Sequence, residues 1–454
     1  MNEKKNTARR DSRPVSARDA AYRSLCACER DKKYSNLEID AAIRRYRLEG
    51  ADKGLYTTLV YGVIERRITL DYIIGRLSAK PIEALDGEVI TLLRLGLYQL
   101  IYLDRIPDSA AVNETVDLAK KYTRAHAFVN AVLRSFLREM GKDRIPYPDK
   151  SDRNRYLSVR YSIAPEVVKL LADSVSDAEA LLEAFEARHE VTLRVNTLKT
   201  SRDELLAKLR EAHGDAVEAT KYSPFGIKLK NGVIFREITE LIDAGYVYIQ
   251  YEASQLALLA VNPKPCSTLI DTCACPGGKS FSAAILMENN GSVQSFDLHK
   301  SKLSLIAQGA GKLGIDIIKT AEKNGSVSDA ALVSSADTVL CDVPCSGLGV
   351  IAKKPEIRYK SAADIERLPE IQYAILSTAA DYVKPGGVLC YSTCTLNRAE
   401  NEAVVTRFLE ADSRFAPCEF EAGGLSSKDG MLTLLPHVHG TDGFFIAKFQ
   451  KKQV

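Results

Sequence analysis

The residues best suited to chemistry lie at the end of an apolar segment, where an acid and a thiol stand close together. The apolar run 337–341 predicts a buried strand, and it leads into Asp342-Val343-Pro344-Cys345 and a glycine-rich turn. Open α/β sheets bind their ligands at the carboxyl ends of the strands. Proline stiffens such a turn, and glycine lets the backbone pass close to a flat ligand. This segment alone indicates a nucleophilic Cys345 with Asp342 as its acid partner.

A second thiol occupies the equivalent place after another predicted strand. Cys394 follows the apolar run that begins at Leu389, so Cys341/Cys345 and Cys390/Cys394 form two Cys-x₃-Cys pairs. Four thiolates could hold a zinc ion. Side chains alternate along a strand, however, so Cys341 and Cys390 should lie back in the buried sheet and should not converge with the terminal thiols. We therefore expect no metal site.

A glycine-rich turn after an earlier strand has the composition of a cofactor site. The predicted strand 269–271 leads into the sequence TCACPGGKS at 272–280. Backbone amides can approach a ligand at such a turn, and the start of the following helix favours negative charge. The spacing matches neither the phosphate-binding loop nor the dinucleotide fingerprint. Because Asp297 ends the next predicted strand, it could bind both hydroxyls of a ribose. An adenosine ligand without phosphate, such as S-adenosylmethionine, fits these features.

Two further residue types in this turn could bear on chemistry. Lys279 could be a lysine of the helix surface, but its place at this turn favours contact with a ligand or substrate at least as much. Cys273 and Cys275 form Cys-x-Cys, but no second pair with ligand spacing accompanies them. Both are better explained as small apolar side chains.

Two thiols and an acid suit methyl transfer to a ring carbon of a pyrimidine. C5 of cytosine is a poor nucleophile, but a thiolate that adds to C6 converts the ring into an enamine. An aspartic acid that is protonated beside the ring could assist at N3 if burial raises its pKa. After methyl transfer, a base removes the C5 proton and the thiol is eliminated.

The elements that carry these residues alternate between strand and helix, which predicts a mainly parallel sheet covered on both faces. Strands are expected at 268–271, 292–296, 315–320, 337–341, 388–392 and 443–449, with helices such as 300–313 and 371–383 between them. The last strand follows without a crossover and should be antiparallel. Upstream, the alternating run 191–196 predicts a strand of an α+β connector, with Arg194 and Asn196 on its polar surface.

The first third of the chain is helical and basic. Apolar residues at helical spacing, with breakers such as Pro81 and Pro107, predict five or more short helices. Residues 1–145 hold 27 Lys and Arg against 20 Asp and Glu, whereas the 454-residue chain carries a net charge of only +3. This excess favours docking to a polyanion such as RNA as much as it favours a solvated helical surface. Residues 1–18 are polar and basic, which is typical of a disordered arm.

Cysteine usage and hydropathy indicate the compartment. The 10 cysteines are not spread like a disulfide framework, the start has no apolar signal region, and no 18-residue apolar run exists. We therefore predict reduced thiols in a cytoplasmic protein with no membrane segment.

Several motifs resemble known families. LGLYQL at 95–100 and FVNAVLR at 128–134 are similar to the NusB family of small helical RNA-binding domains. The segments 271–280, 342–349 and 391–402, the last reading YSTCTLNRAENE, look like the three main motifs of RNA 5-methylcytosine methyltransferases. In this order, and nearly end to end, the chain resembles the bacterial 16S rRNA (cytosine-C5)-methyltransferase RsmB family, also called Sun or Fmu.

The resemblance implies a role for each candidate residue. Cys394 would be the nucleophile, Cys345 would help to release the methylated product, and Asp342 would hold N3 of the base. Lys279 would lie beside the base and the cofactor. The implied cofactor-binding residues are Cys273, Ala274, Cys275, Pro276, Gly277, Gly278, Lys279, Asp297, Asn324 and Asp342. Asn324 stands where relatives have Asp, with Glu322 close by, so either could contact the adenine.

The resemblance also implies the domains, which are a basic arm at 1–18, a NusB-like bundle at 19–145, an α+β connector at 156–255 and a Rossmann-like methyltransferase domain at 256–454. The implied reaction is S-adenosylmethionine-dependent methylation of C5 of a cytosine in 16S rRNA, by a monomer that binds neither membrane nor DNA. Independently of the resemblance, the loop 353–360 is basic and contains an aromatic residue, which favours a grip on the RNA strand over a solvated run of charges.

Other functions stay open on the sequence alone. A related enzyme could act on tRNA or on another rRNA site, and a non-catalytic RNA-binding assembly factor could share the same domains. A DNA cytosine methyltransferase would use the Pro-Cys thiol, Cys345, as its nucleophile and would leave Cys394 without a role.

Overall fold

The computed structural model describes residues 15–31, 35–140, 145–187, 190–230 and 233–453. The chain divides into two compact units, Met1–Val168 and Lys169–Val454.

The predicted basic arm lies mostly outside the described residues, but its end differs from the prediction. The first helix begins at Ala17, so Arg18 is already helical. Its Nε donates a hydrogen bond to Oε1 of Gln99 at 2.7 Å. The guanidinium that the sequence assigned to a disordered arm is therefore fixed within the helical unit.

The first unit is all helical, as predicted. Its helices are α1 (Ala17–Asp31), α2 (Ser35–Tyr46), α3 (Gly50–Glu65), α4 (Arg67–Leu77), α5 (Gly87–Tyr102), α6 (Asp108–Tyr122), α7 (His126–Glu139) and α8 (Arg153–Tyr161). Apolar residues of α5 are buried around most of its circumference, so this helix forms the centre of the core. Gly96 permits its close packing, because a Cβ there would lie 2.8 Å from the side chain of Leu133.

The first unit extends beyond the predicted bundle. Helix α8 contains residue 156, where the sequence placed the start of the connector. The hydroxyl of Thr69 in α4 donates to the carbonyl of Val159 in α8 at 2.6 Å. The helix therefore packs with the bundle.

The second unit begins with the connector, a four-stranded antiparallel sheet in the order β2-β3-β1-β4. Its strands are β1 (Val191–Val195), β2 (Val217–Ala219), β3 (Gly226–Leu229) and β4 (Val247–Ile249), and its helices are α9 (Pro165–Ser174), α10 (Ala178–Ala184), α11 (Arg202–His213) and α12 (Phe235–Asp243). Ser201 and Glu204 form a capping box that starts α11. This arrangement confirms the predicted α+β connector.

Two polar residues of the connector are buried, although the sequence analysis placed them at the surface. Arg194 and Asn196 are both 0% exposed. The guanidinium of Arg194 lies 4.6 Å from the centre of the Phe225 ring. The Asn196 side-chain amide donates to the carbonyls of Gly245 and Leu313 at 2.9 and 2.8 Å. Asn196 therefore joins the connector to the sheet domain that follows it.

The methyltransferase-like part is an eight-stranded sheet in the order β10-β14-β9-β8-β5-β6-β7, with β13 paired to β14. Its strands are β5 (Ser267–Asp271), β6 (Gly291–Asp297), β7 (Ile318–Glu322), β8 (Ala336–Asp342), β9 (Val383–Thr393), β10 (Phe415–Pro417), β13 (Met431–Leu434) and β14 (Phe444–Lys451), and a separate hairpin joins β11 (Glu421–Ala422) to β12 (Leu425–Ser426). The helices are α13 (Glu252–Val261), α14 (Gly278–Leu286), α15 (Lys300–Leu313), α16 (Ala362–Glu366), α17 (Leu368–Tyr382), α18 (Glu402–Ala411) and α19 (Pro436–His439).

The sheet agrees with the predicted α/β pattern. Strands β5 to β9 pair in parallel, and β14 runs antiparallel to β9. The third predicted strand starts three residues later than expected, at Ile318. Separate apolar clusters cover the two faces. Among the described residues, no helix is long and apolar enough to cross a membrane.

Candidate active site

The candidate site lies where neighbouring parallel strands end. Strand β8 pairs with β5 on one side and with β9 on the other, and Asp342 lies opposite Ser392. The chain leaves the sheet directly after these positions, so both cysteine loops emerge from the same edge. The Sγ atoms of Cys345 and Cys394 lie 3.1 Å apart. The structure thus brings together the two thiols that the sequence singled out.

The two thiols have opposite electrostatic environments. A hydrogen bond from the Cys345 thiol lowers the pKa of Cys394, although burial and the charge of Asp342 act against it. The charges of Lys354 and Lys279 lower this pKa further. The same hydrogen bond raises the pKa of Cys345 well above its usual range, and burial adds to the effect. When one proton is shared by the pair, Cys345 keeps it and Cys394 is the thiolate. Cys394 is therefore the better nucleophile, because the thiolate is the reactive form.

Asp342 and Lys279 form an ion pair beside the thiols. Lys279 Nζ lies 2.7 Å from Oδ2 of Asp342, and the Ser392 hydroxyl donates to Oδ1 at 2.9 Å. Burial lowers the pKa of Lys279, but the Asp342 carboxylate outweighs it and the net shift is upward. Asp342 therefore accepts hydrogen bonds from two donors in this structure. Its role at N3 of the base stays a prediction. Lys279 is the group here that carries a proton.

The TCACPGGKS segment forms the predicted turn between β5 and α14. Gly277 has φ +112°, and a Cβ there would lie 2.4 Å from the Phe281 ring. Only glycine fits this position without displacing the ring. The amide of Ala274 donates to the carbonyl of Phe296 at 2.8 Å, which ties the turn to the end of β6. Helix α14 then begins at Gly278.

This turn borders a cavity of about 350 Å³ that also reaches Cys394. Of the predicted cofactor residues, the cavity is lined by Cys273, Ala274, Cys275, Pro276, Gly278, Lys279 and Asp342. Gly277, Asp297 and Asn324 lie outside its lining. Asp297 accepts a hydrogen bond from the amide of His299, and Asn324 accepts from the amide and hydroxyl of Ser326. Their contact with an adenosine stays a prediction, as does the choice between Asn324 and Glu322.

The cavity residues fit S-adenosylmethionine. Asp271 is fully buried at the cavity wall, and its Oδ1 has no hydrogen-bond donor among the described residues. Burial raises the pKa of this carboxyl to about 6. A ligand ammonium group would satisfy the free oxygen, and the start of α14 would favour a ligand carboxylate. An amino-acid group carries both.

Other cavity residues were not predicted as site residues. Lys353 lies 2.7 Å from Asp442 and sits 3.2 Å from the centre of the Tyr251 ring, and all three line the cavity. Lys353 belongs to the loop 353–360, which had been expected to contact RNA. Its ion pair holds it at the cavity wall, and Arg358 of the same loop is 0% exposed. Contact of this loop with RNA stays a prediction. Tyr251 belongs to the segment QYEAS at 250–254, from which Gln250, Ala253 and Ser254 also line the cavity.

The inner cysteines lie where the alternation argument placed them. Cys341 and Cys390 are each 1% exposed, and they belong to the apolar clusters on opposite faces of the sheet. Within the described ranges, no group of three or more His, Cys, Asp or Glu side chains is arranged to hold a metal ion.

Comparison with known proteins agrees with this geometry. Residues 258–450 match the family described as 16S rRNA methyltransferase RsmB/F, residues 15–138 match the NusB family, and residues 167–236 match an RsmF/B-like ferredoxin-like domain.

Two relatives match most of this chain and most of their own length. A probable ribosomal RNA small subunit methyltransferase B of Bacillus subtilis is 40% identical over 96% of this chain and 99% of its own length. The ribosomal RNA small subunit methyltransferase B of Klebsiella pneumoniae is 30% identical over 88% of this chain and 91% of its own.

The fold is also found in solved structures. The crystal structure of PH0851 has a TM-score of 0.79 at 26% identity and covers 97% of this chain and 99% of its own. A methyltransferase homologue from Pyrococcus horikoshii has a TM-score of 0.53 at 26% identity and covers 64% of this chain and 100% of its own. The chain therefore belongs to the RsmB/F family of S-adenosylmethionine-dependent methyltransferases, with a NusB-family unit and a ferredoxin-like connector before the catalytic sheet.

Proposed function

We propose that this protein methylates C5 of a cytosine in 16S rRNA through a covalent bond between Cys394 and C6 of the base. The observation that carries the proposal is the pair of thiols 3.1 Å apart, one of which, Cys394, lines the cofactor cavity together with the Asp342–Lys279 ion pair. The names of the relatives, ribosomal RNA small subunit methyltransferase B, support rRNA as the substrate.

Cys394 starts the reaction as a nucleophile. Its thiolate adds to C6, and the ring electrons move so that C5 becomes nucleophilic. S-adenosylmethionine, when bound, supplies the electrophilic methyl group. The target base must be unpaired or turned out of a helix, because the thiolate approaches C6 from the face of the ring.

Asp342 and Lys279 act at N3, which lies across the ring from C6. Addition at C6 increases the basicity of N3, which then takes a proton. We assign the proton to the Lys279 ammonium, passed through the carboxyl of Asp342 that it contacts at 2.7 Å. The proton returns when the ring is restored, so the ion pair is unchanged over the cycle.

Cys345 serves the release of the product. Once Cys394 is bound to carbon, it no longer accepts the hydrogen bond that held the proton on Cys345. Cys345 can then release its own proton to solvent, which is the net proton of the reaction, and the resulting thiolate takes the proton from C5. The C5–C6 double bond re-forms, Cys394 leaves as the thiolate, and the methylated base is freed.

The helical unit is assigned to RNA docking. Its basic excess within residues 1–145 and its match to the NusB family support this role. The two units together would bind the rRNA and present one cytosine to the thiols.

The direct test is to map 5-methylcytosine in ribosomal RNAs and tRNAs from a strain that lacks this protein. Bisulfite sequencing should show that one cytosine of 16S rRNA loses its methyl group and regains it when the wild-type gene is restored. If tRNA or large-subunit rRNA lost a methyl group instead, that RNA would be the substrate and not 16S rRNA. An unchanged map would favour a non-catalytic assembly factor.

A further inference from the structure

Glu400 is a buried carboxylate that contacts the loop of Cys345. It is 0% exposed and lies in the loop that follows Cys394. The backbone amide of Ser346 donates to its Oε2 at 2.8 Å, and the Ser346 hydroxyl donates to its Oε1. One carboxylate therefore holds the residue that comes directly after Cys345.

The same carboxylate holds its own loop and a neighbouring helix. The side-chain amide of Asn397 and the hydroxyl of Thr395 donate to Oε1 at 3.0 and 3.4 Å. From α17, the Gln372 amide donates to Oε2 at 2.9 Å and to the carbonyl of Pro344 at 3.0 Å. Hydrogen bonds to a buried carboxylate are strong and directional. Their convergence on Glu400 fixes both thiol loops relative to each other.

We propose that Glu400 is a positioning residue that locks the Cys345 loop to the Cys394 loop, so that the two sulfurs meet. The proposal rests on the proposed function, because it gives the two thiols their roles. The thiol roles alone require neither a carboxylate at 400 nor contacts with Ser346. Glu400 acts on the reaction only through the residues that it holds.

The charge of Glu400 acts in the same direction as its hydrogen bonds. After the hydrogen bond to Cys394, burial and the charge of Cys394, the charge of Glu400 also raises the pKa of Cys345. Asp342, Lys354 and Lys279 are the charged groups that act on Cys394 from the surrounding elements. Removing Glu400 would leave these groups in place and would weaken the preference of the shared proton for Cys345.

The test compares Glu400→Gln with Glu402→Gln in the full-length protein. Glu402 begins α18, and its Oε2 accepts no hydrogen bond in the described part of the chain, which makes it a matched control. Three quantities are measured. They are kcat and KM with small-subunit rRNA, the affinity for S-adenosylmethionine, and the pH midpoint for alkylation of Cys394 by iodoacetamide, read from its peptide by mass spectrometry.

Glu400→Gln should lower kcat by about 10²-fold, since a displacement of reacting groups by about 1 Å has effects of that order. Its cofactor affinity and KM should stay at wild-type values, and the Cys394 midpoint should move to higher pH. Ser346→Ala, which removes one donor side chain and keeps the carboxylate, should shift kcat and midpoint in the same direction by less.

Wild-type kcat and midpoint in Glu400→Gln would overturn the proposal, and so would equal losses in Glu402→Gln. If Glu400→Gln and Ser346→Ala both lose cofactor affinity together with activity, Glu400 only stabilises the fold and the proposal is wrong. Failure of the proposed function can be told apart from failure of the proposal for Glu400. In the first case the wild-type protein would methylate no cytosine, but the alkylation midpoints would still report on the coupling of the thiols.

Discussion

Two pairs of cysteines with the same spacing lie on neighbouring strands, and they have different environments. The inner pair, Cys341 and Cys390, is buried among apolar side chains within β8 and β9. The outer pair, Cys345 and Cys394, lies in the loops where those strands end, with sulfurs 3.1 Å apart. Burial raises the pKa of Cys390 to about 12, whereas the pKa of Cys394, four residues later, is lowered.

The difference follows from strand geometry. In the parallel register, Leu340 lies opposite Cys390 and Cys341 lies opposite Tyr391, so the inner thiols point to opposite faces of the sheet. Beyond Asp342 and Thr393 the strands end, and the loops are free to turn toward each other. A thiol in this fold is thus inert within the sheet and reactive at the edge, although the residue type is the same.

The largest effect should come from comparing the loss of Cys394, just after β9, with the loss of Cys390 within β9. Cys394→Ala should lower methyl transfer to rRNA by at least about 10³-fold, because the thiolate that forms the bond to C6 is removed. Cys390→Ala, four residues away, should keep near wild-type activity. Transfer of labelled methyl from S-adenosylmethionine to rRNA measures both. Substantial activity in Cys394→Ala would refute its role as nucleophile.

The next effect concerns the two cysteines around β8. Cys345→Ala should still form the bond to RNA but should release it slowly, with turnover reduced by on the order of 10²-fold or more, the range typical of a lost proton-transfer group. A protein–RNA adduct should then persist on a denaturing gel. Cys341→Ala should show no adduct. An active Cys345→Ala protein without adduct would count against the release role.

A smaller effect should appear in the pH dependence of thiol reactivity. Only the thiolate reacts with iodoacetamide, and its fraction increases as pH rises through the pKa. Because the pKa of Cys394 is lowered and that of Cys345 is raised, Cys394 should react at lower pH than Cys345. Lys354→Ala should move the Cys394 midpoint upward by less than about one pH unit, since it removes one partly screened charge. Lys360→Ala serves as the control, and an equal shift there would exclude a specific effect of Lys354.

The sequence predicted the features that depend on local pattern. Alternating strands and helices and the antiparallel β14 both follow from periodicity and neighbouring residues. The thiol pair was also accessible, because two strand ends of a parallel sheet share one edge. These features need only the positions of residues along the chain and the general geometry of sheets.

The remaining features depend on contacts between distant segments. Arg194 and Lys353 are charged residues that a sequence pattern assigns to the surface, but Phe225 packs against one and Asp442 pairs with the other. Likewise, nothing in the spacing of Glu400 shows that Ser346, 54 residues earlier, donates to it. Burial of a charge is decided by partners that only the folded chain brings together.

The smallest predicted effect is on stability. Here the inner cysteines should matter more than Cys394, because stability depends on burial and not on reactivity. Cys390→Ala and Cys341→Ala should each reduce the free energy of unfolding by about 1 kcal/mol, the cost of removing one buried atom group from a packed core. For the second unit this corresponds to a fall in the melting midpoint of about 2–4 °C. Cys394→Ala should change it by less than about 0.5 kcal/mol, since this side chain is partly exposed at the sheet edge. Scanning calorimetry measures the transition, which is recognised because S-adenosylmethionine raises its midpoint. If Cys394→Ala were the most destabilising of the three, its loss of activity could not be assigned to chemistry, and the contrast between inner and outer cysteines would fail.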